Sequence, residues 1–147
     1  MRLREVRKIS EAEQIRIWFL DDAEGNRRLS SYANPDDWFK LLGPSRHVSL
    51  VVSEDQSLGF VDMELEGSTG YFAYYVAPNF RGRGYGVEVL RLTIAQARAL
   101  GLTVLEGGVE PDNAASVATL KRVGFDLLPE DGEGMLPTRL VLGPAQS

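Results

Sequence analysis

The chain has 147 residues, 44% of them hydrophobic and 25% charged, which fits one globular domain with its own core. The absence of cysteine and the single histidine exclude thiol nucleophiles, disulfide frameworks and multi-histidine metal sites, so we expect no bound metal. The formal net charge of −5 disfavours non-specific binding of nucleic acid and weakly favours a cationic acceptor.

The N-terminus is charged, and no apolar run of signal-peptide length follows it. No stretch approaches the ~18 apolar residues of a membrane helix. We therefore expect one domain over residues 1–147, soluble and cytoplasmic, with no membrane partner.

The first third of the sequence predicts one strand and two helices. Ser10 and Glu13 have the spacing of a capping box at the start of a helix. A proline at its start and Gly43 just past its end indicate a second, short helix. We predict, in chain order, a strand at residues 2–8, a helix from Glu11 to about Ala23, a loop from Asp21 to Pro35 and a helix from Pro35 to Leu42.

The period of the hydrophobic pattern changes to two from His47 onward. Alternation of Val61, Met63 and Leu65 with acidic residues indicates a strand with one buried face. Three strands, at residues 47–53, 57–66 and 71–77, form an antiparallel meander in this prediction.

The second half of the sequence predicts a strand–helix–strand unit. An apolar stripe of Val87, Leu90, Ile94 and Ala97 indicates a helix over residues 84–100, between strands at 71–77 and 102–109. Such crossovers are parallel and right-handed, and ligands lie beyond the carboxyl ends of their strands. A helix at residues 113–123 and short strands at 125–128 and 138–142 complete the chain.

Three glycines alternate in the segment Val76-Ala-Pro-Asn-Phe-Arg-Gly-Arg-Gly-Tyr-Gly86, where the strand meets the helix. Glycine permits positive φ and close approach of a ligand, and the first amides of a helix have no partner within the helix. Such a turn can bind an anion such as a diphosphate. The spacing matches neither the dinucleotide fingerprint nor a P-loop, and a glycine-rich turn without a ligand stays an equal alternative.

Two blocks of this sequence resemble the GNAT superfamily of acetyl-CoA-dependent N-acetyltransferases. Arg81-Gly-Arg-Gly84-Tyr-Gly86, after Val76-Ala-Pro78, is similar to the family's pyrophosphate loop. Val109-Glu-Pro-Asp-Asn-Ala-Ala-Ser116 with Leu120-Lys-Arg-Val-Gly-Phe125 is similar to its second segment, in wording closest to the ribosomal-protein N-terminal acetyltransferase branch. The resemblance implies an α/β (α+β) fold with a mixed, mostly antiparallel sheet of six to seven strands, helices on both faces and a central β-α-β unit that binds the cofactor.

The resemblance also implies roles for individual residues. Main-chain groups of Tyr74, Tyr75 and Val76 would bind the pantetheine arm of acetyl-CoA where two strands diverge, and Asn113 would bind it too, unless it only caps its helix. Ser116 would face the thioester sulfur, or be an ordinary first-turn serine. The pyrophosphate would bind at the turn formed by Arg81, Gly82, Arg83, Gly84, Tyr85, Gly86 and Val87.

The catalytic groups are less well defined by the sequence. Many relatives use a tyrosine as proton donor at the position of Leu120, and some have a glutamate at the position of Gly108. Glu106 is our first candidate for the base, with Glu110, Glu64 and Glu66 as alternatives. Ser116, a water molecule or one of Tyr74, Tyr75 and Tyr85 could replace the missing tyrosine.

These observations predict an N-acetyltransferase that moves the acetyl group of acetyl-CoA to a primary amine of a protein N-terminus or small molecule. The alternatives are a catalytically idle domain that binds acyl-CoA or a protein partner, and a nucleotide-binding module that uses the same glycine turn. Homodimers are common in the family, and the sequence leaves this assembly open.

Overall fold

The computed structural model of the protein describes residues 1–144. The strands in this range are β1 (Arg2–Glu5), β2 (Arg46–Ser53), β3 (Gln56–Glu66), β4 (Thr69–Val76), β5 (Val104–Val109), β6 (Asp126–Leu127) and β7 (Leu136–Val141). The α-helices are α1 (Ile9–Leu20), α2 (Ala23–Arg28), α3 (Tyr85–Ala99) and α4 (Ala114–Val123). None of the helices in this part of the chain has the length and apolar character needed to cross a membrane.

All seven strands belong to one sheet with the order β1-β2-β3-β4-β5-β7-β6. The pairing of β4 with β5 is parallel, and the other described pairs are antiparallel. Helix α3 connects the two parallel strands, as the predicted β-α-β unit requires. The predicted fold class is therefore confirmed, with seven strands.

Hydrophobic side chains cover the sheet on both faces. On one face Ile15 and Phe19 of α1 pack with Phe60 of β3 and Tyr75 of β4. On the other face α3 and α4 contribute to a cluster that includes Leu90, Leu120 and Leu105 of β5. Strands β4 and β5 lie at the centre of the sheet, so the ends of these two strands are flanked by helices from both layers.

The predicted loop at residues 21–35 was wrong in part, because it contains helix α2. The Asp22 carboxylate caps this helix by accepting a hydrogen bond of 3.0 Å from the Gly25 amide. Arg28 pairs with Glu24 one turn earlier at 2.8 Å, which also favours the helix. We predicted a loop because the segment is polar, and polar composition alone does not indicate these local stabilising contacts.

The predicted helix at residues 35–42 was also wrong, since the segment forms two 3-10 turns, at Pro35–Asp37 and Phe39–Leu41. Trp38 separates them with a φ of −128°, outside the helical range. Its side chain is buried, and the indole N–H donates to the Tyr32 carbonyl at 3.2 Å. Tertiary packing of this tryptophan therefore overrides the local helical pattern.

Helix α1 begins two residues earlier than the proposed capping box. The Glu11 carboxylate, rather than that of Glu13, accepts from the main-chain amides of Arg7 and Lys8, both at 3.1 Å. The cap residue is Lys8, and the preceding strand ends at Glu5 instead of residue 8. The hydrophobic periodicity predicted the helix correctly. The position of its first turn depends on whether Glu11 or Glu13 caps the helix, and the prediction used Glu13.

Candidate functional site: a cavity between diverging strands

Strands β4 and β5 are paired only at one end. Their parallel register contains three pairs, the last joining Tyr71 to Glu106. Beyond that pair, residues 72–76 of β4 have no partner in β5 within the described chain. A β-carbon on Gly107 would lie 3.1 Å from the Phe72 carbonyl oxygen, so the strands still touch there and separate after it.

Main-chain groups near the end of β4 face the resulting gap. The Ala77 amide donates to the Leu58 carbonyl of β3 over 2.8 Å. Because alternate residues of a strand direct their main-chain groups to opposite edges, the groups of Tyr74 and Val76 point away from β3, toward the gap. The Val76 carbonyl accepts a hydrogen bond of 2.9 Å from Nε of Arg81.

The turn before α3 has the geometry expected of an anion-binding site. The φ angles are +74° at Gly82 and +80° at Gly84, in the region that favours glycine. A β-carbon at either position would meet no atom within 4 Å. Helix α3 has no side-chain cap, so its first amides are available to a ligand at the positive end of the helix dipole.

A cavity of about 580 Å³ joins this turn to the gap between the strands. Residues from α2 line it on one side of the sheet, and residues from α3 and α4 line it on the other, so the cavity reaches both faces through the gap. The residues predicted for the site that line it are Tyr74, Tyr75, Val76, Arg81, Gly82, Gly84, Tyr85, Gly86, Val87, Asn113 and Ser116.

Two predicted residues, Arg83 and Glu106, are absent from the described lining of the cavity. Glu106 lies in the paired part of β5, where its main chain is opposite Tyr71 and Arg139. Its carboxylate is 3.6 Å from Nε of Arg139. The structure therefore does not bring the first candidate for the base to the cavity, because the strands are still joined at that position.

Arg81 lines the cavity, but its side chain is held by other protein groups. The guanidinium donates to the Asp22 carboxylate at 2.7 Å and lies 5.3 Å from the centre of the Tyr75 ring. The Tyr75 hydroxyl also donates to Asp22, at 2.7 Å. This network links the glycine turn to the start of α2, and it leaves less of the Arg81 charge available to a phosphate than the sequence suggested.

Asp22 is buried, with 6% of its surface exposed, and it is negatively charged in this network. Burial alone would raise the pKa of its carboxyl, but hydrogen bonds from Arg81, Tyr75 and the Gly25 amide lower it below the usual 3.8. Burial and the neighbouring Asp22 raise the pKa of Tyr75. Tyr75 therefore keeps its proton and cannot easily donate it elsewhere.

On the other side of the gap, Tyr74 and Ser116 connect β4 to α4. The hydroxyl oxygens of the two residues are 2.7 Å apart. Burial raises the pKa of Tyr74 above 10, although the hydrogen bond to Ser116 acts in the opposite direction. Asn113 caps α4, since its side-chain oxygen accepts from the Ser116 amide at 3.3 Å, and the amide N–H groups of the same side chain remain available to a ligand.

The sequence reasoning missed a cluster of charged residues at the α2 side of the cavity. Arg28 is 2.8 Å from Glu24 and 3.1 Å from both Glu110 and Asp112. Arg27 contacts the same three carboxylates. The consecutive arginines in a polar segment were the available signal, but two of their partners, Glu110 and Asp112, lie more than 80 positions away in the sequence.

Comparisons with known proteins agree with this architecture. The sequence pattern described as the acetyltransferase (GNAT) family matches residues 12–125. Proteins named L-methionine sulfoximine/L-methionine sulfone acetyltransferase, from Pseudomonas aeruginosa and Pseudomonas paraeruginosa, are 33% identical over 112 residues. That match spans 69% of this chain and 65% of each relative, so the chain covers slightly less than two thirds of their length.

Solved structures share the fold at lower identity. The ribosomal-protein-S5-alanine acetyltransferase of Vibrio fischeri superposes with a TM-score of 0.79 at 17% identity, over 99% of this chain and 94% of that one. The ribosomal-protein-alanine N-acetyltransferase of Brucella melitensis gives 0.74 at 24% identity, over 97% and 100%. With the family pattern matching most of the sequence, the chain belongs to the acetyltransferase (GNAT) family.

Proposed function

We propose that this protein transfers the acetyl group of acetyl-CoA to a primary amine by direct attack in a ternary complex. The observation that carries the proposal is a single cavity that joins the uncapped start of α3 to the gap between β4 and β5. One end offers donors for a diphosphate, and the other offers main-chain groups for a flexible amide-containing chain. This combination fits a CoA thioester better than it fits a compact nucleotide.

The residues of the cavity suit the successive parts of the acyl donor. Amides from Gly82 to Val87 would bind the pyrophosphate, where each hydrogen bond to a charged group contributes about 1.5–3 kcal/mol. Main-chain groups of Tyr74 and Val76, together with the free side-chain N–H groups of Asn113, would bind the pantetheine amides. Both strands turn their other edges to neighbours, β3 and β7, so these groups are available on the cavity side.

The Val76 amide is our candidate for stabilising the negative charge on the acetyl oxygen during attack. Its N–H belongs to the same residue whose carbonyl is fixed by Arg81, and it points into the gap. A donor that is already oriented stabilises charge in the transition state without a cost of reorganisation. The link from Val76 through Arg81 to buried Asp22 provides this orientation.

The carboxylates that line the described cavity are Glu24 and Glu110, and both are bound to arginines. Hydrogen bonding from Arg27 lowers the pKa of Glu24, which makes it a weak proton acceptor. We therefore propose that the acceptor amine reacts as the free base, losing its proton to water. At neutral pH the free-base fraction of a peptide α-amine with a pKa of about 8 is roughly 200 times that of a lysine-like amine with a pKa of about 10.4.

An α-amine acceptor is consistent with the relatives, whose names give an amino-acid analogue and ribosomal-protein alanine. The charged cluster has three carboxylates, Glu24, Glu110 and Asp112, and two arginines, Arg27 and Arg28, so its formal charge is −1. Such a cluster at the cavity favours the approach of a cationic amine and disfavours anionic acceptors.

A thiol-release assay with acetyl-CoA tests the proposal. The acceptor panel contains methionine sulfoximine, a peptide with N-terminal alanine, the same peptide with a blocked N-terminus, and Nα-acetyl-lysine. We expect release of CoA with the free α-amines, none with the blocked peptide, and a rate that rises with pH as the amine deprotonates.

Two outcomes would contradict this function. Calorimetric binding of acetyl-CoA without turnover on any amine would favour the idle acyl-CoA-binding domain. Competition at the cavity by ATP but not by CoA would favour the nucleotide-binding module.

A further inference from the structure

The position at which family members carry a tyrosine proton donor is Leu120 in this chain, and that side chain is buried with 1% exposure. Three other tyrosines line the cavity. The Tyr75 hydroxyl is bound to Asp22 in the network on the α1 side. Tyr85 begins α3, where its ring packs edge-on against Phe80 at 6.3 Å between centroids.

Tyr74 differs from the other two in the direction of its hydroxyl. Its main-chain groups face the gap between β4 and β5, and its hydroxyl reaches across to Ser116 in the first turn of α4. Asn113 accepts a hydrogen bond from the Ser116 amide, which fixes the main chain of Ser116 in the helix cap. Tyr74 and Ser116 both line the cavity that a thioester would enter from the α3 side.

We propose that the Tyr74 hydroxyl donates a hydrogen bond to the sulfur of CoA as the carbon–sulfur bond breaks, with Ser116 holding that hydroxyl in position. The inference rests on the proposed acetyl transfer and assigns its leaving-group donor. Tyr74, which lies on β4, would thus assist the leaving thiolate in place of the α4 tyrosine that many family members use.

The chemistry of the step is balanced without any further reactant. The amine nitrogen forms a bond to the acetyl carbon, the carbon–sulfur bond breaks, and the bonding pair leaves on sulfur as a thiolate. The nitrogen loses its proton to water, and the thiolate later takes a proton from water. Since burial raises the pKa of Tyr74 above 10, the tyrosine remains protonated and acts as a hydrogen-bond donor at neutral pH.

Steady-state kinetics with saturating acetyl-CoA and acceptor are the first test. Loss of one hydrogen bond to a charged sulfur should lower kcat about 10- to 100-fold in Tyr74→Phe. Ser116→Ala should lower kcat less, Ser116→Thr should recover most of the loss, and the double variant should be no slower than Tyr74→Phe alone. Tyr71→Phe is the matched control, because this exposed tyrosine on the same strand lies outside the cavity lining.

The second test does not depend on turnover. Ultraviolet absorbance reports the thiolate fraction of CoA bound to the protein as the pH is raised. A hydrogen bond from Tyr74 stabilises the thiolate, so wild type should hold about tenfold more thiolate than Tyr74→Phe at the same pH. Calorimetry with CoA and thermal unfolding establish that each variant still folds and binds.

The outcomes separate this inference from the proposed function. If wild type releases CoA but Tyr74→Phe keeps kcat within twofold and the same thiolate fraction, the assignment of Tyr74 is wrong while acetyl transfer stands. If wild type transfers acetyl to no amine, the proposed function fails. The thiolate measurement then still decides whether Tyr74 contacts the sulfur.

Discussion

Substitution of Gly84 by alanine is the most direct perturbation of the proposed diphosphate site. Gly84 is the residue before α3, with a φ of +80° and open space where a β-carbon would be placed. The substitution therefore causes no clash, and its cost is the left-handed conformation itself, about 1–2 kcal/mol for a residue with a side chain. In the free protein the turn can relax to avoid this cost, but a diphosphate requires the original geometry.

The magnitude of the effect on binding follows from this argument. If binding must restore the strained turn, an energy of about 1–2 kcal/mol reduces the binding-competent fraction and weakens the Kd for CoA by about 5- to 30-fold. Calorimetric titration of CoA measures this change directly. If the substitution removes main-chain hydrogen bonds to the diphosphate, the enthalpy of binding should also decrease in magnitude.

The chain contains a matched control at the other end of the same helix. Gly101 follows α3 with a φ of +77° and also has no atom within 4 Å of a new β-carbon. Alanine at Gly101 should lower the free energy of unfolding by at most about 1–2 kcal/mol, as measured by urea unfolding, without affecting the Kd for CoA. Equal CoA affinity in the Gly84→Ala and Gly101→Ala variants would refute the assignment of the turn as the diphosphate site.

Further predictions concern the network around Arg81 and the packing of β4. Asp22→Asn should lower the free energy of unfolding by about 2 kcal/mol in urea, since it removes the charge that Arg81 and Tyr75 bind. It should also slow acetyl transfer, because Arg81 would hold the Val76 carbonyl less firmly. The pKa of Asp22 in the folded protein is lowered, so its contribution to the free energy of unfolding is fully present above about pH 3.8. This contribution should be lost as the pH falls through the folded-state pKa, and acid titration of unfolding measures the loss. Gly59→Ala should cost about 3 kcal/mol, as its β-carbon would lie 1.9 Å from the Tyr75 carbonyl oxygen, and an unchanged urea midpoint would contradict this geometry.

Much of the fold was predictable from the sequence, because the decisive signals are local. The apolar stripe of α3, the strand patterns on either side of it and the glycines at 82 and 84 all depend on near neighbours in the chain. Glycine in a strand is typical of close approach by another main chain, and the Phe72 carbonyl does lie beside Gly107 of β5. The separation of β4 from β5 was expected from the family resemblance, and the register agrees with it.

The site was less predictable where it depends on pairs of residues that are distant in the sequence. Nothing in the sequence pairs Asp22 with Arg81, or Arg28 with Asp112, and these contacts connect α2 and its cap to other parts of the cavity. Glu106 was our first candidate because it is two residues from Gly108. A correct choice required knowledge of the residue at which β4 and β5 separate. A difference of two residues along β5 distinguishes the paired edge of the sheet from the cavity.

Arg81 shows that a sequence motif leaves the partners of a side chain open. Beside three glycines, its charge looked like a phosphate ligand, yet the guanidinium binds buried Asp22 and the Val76 carbonyl. In the proposed function, a charge used in this way orients the Val76 amide, which would stabilise the oxyanion on the acetyl group. The proposed diphosphate site would then depend mainly on the main-chain amides at the start of α3. If the proposed function is correct, one arginine would couple binding to catalysis, because Arg81 contacts the end of β4 and belongs to the turn that follows it.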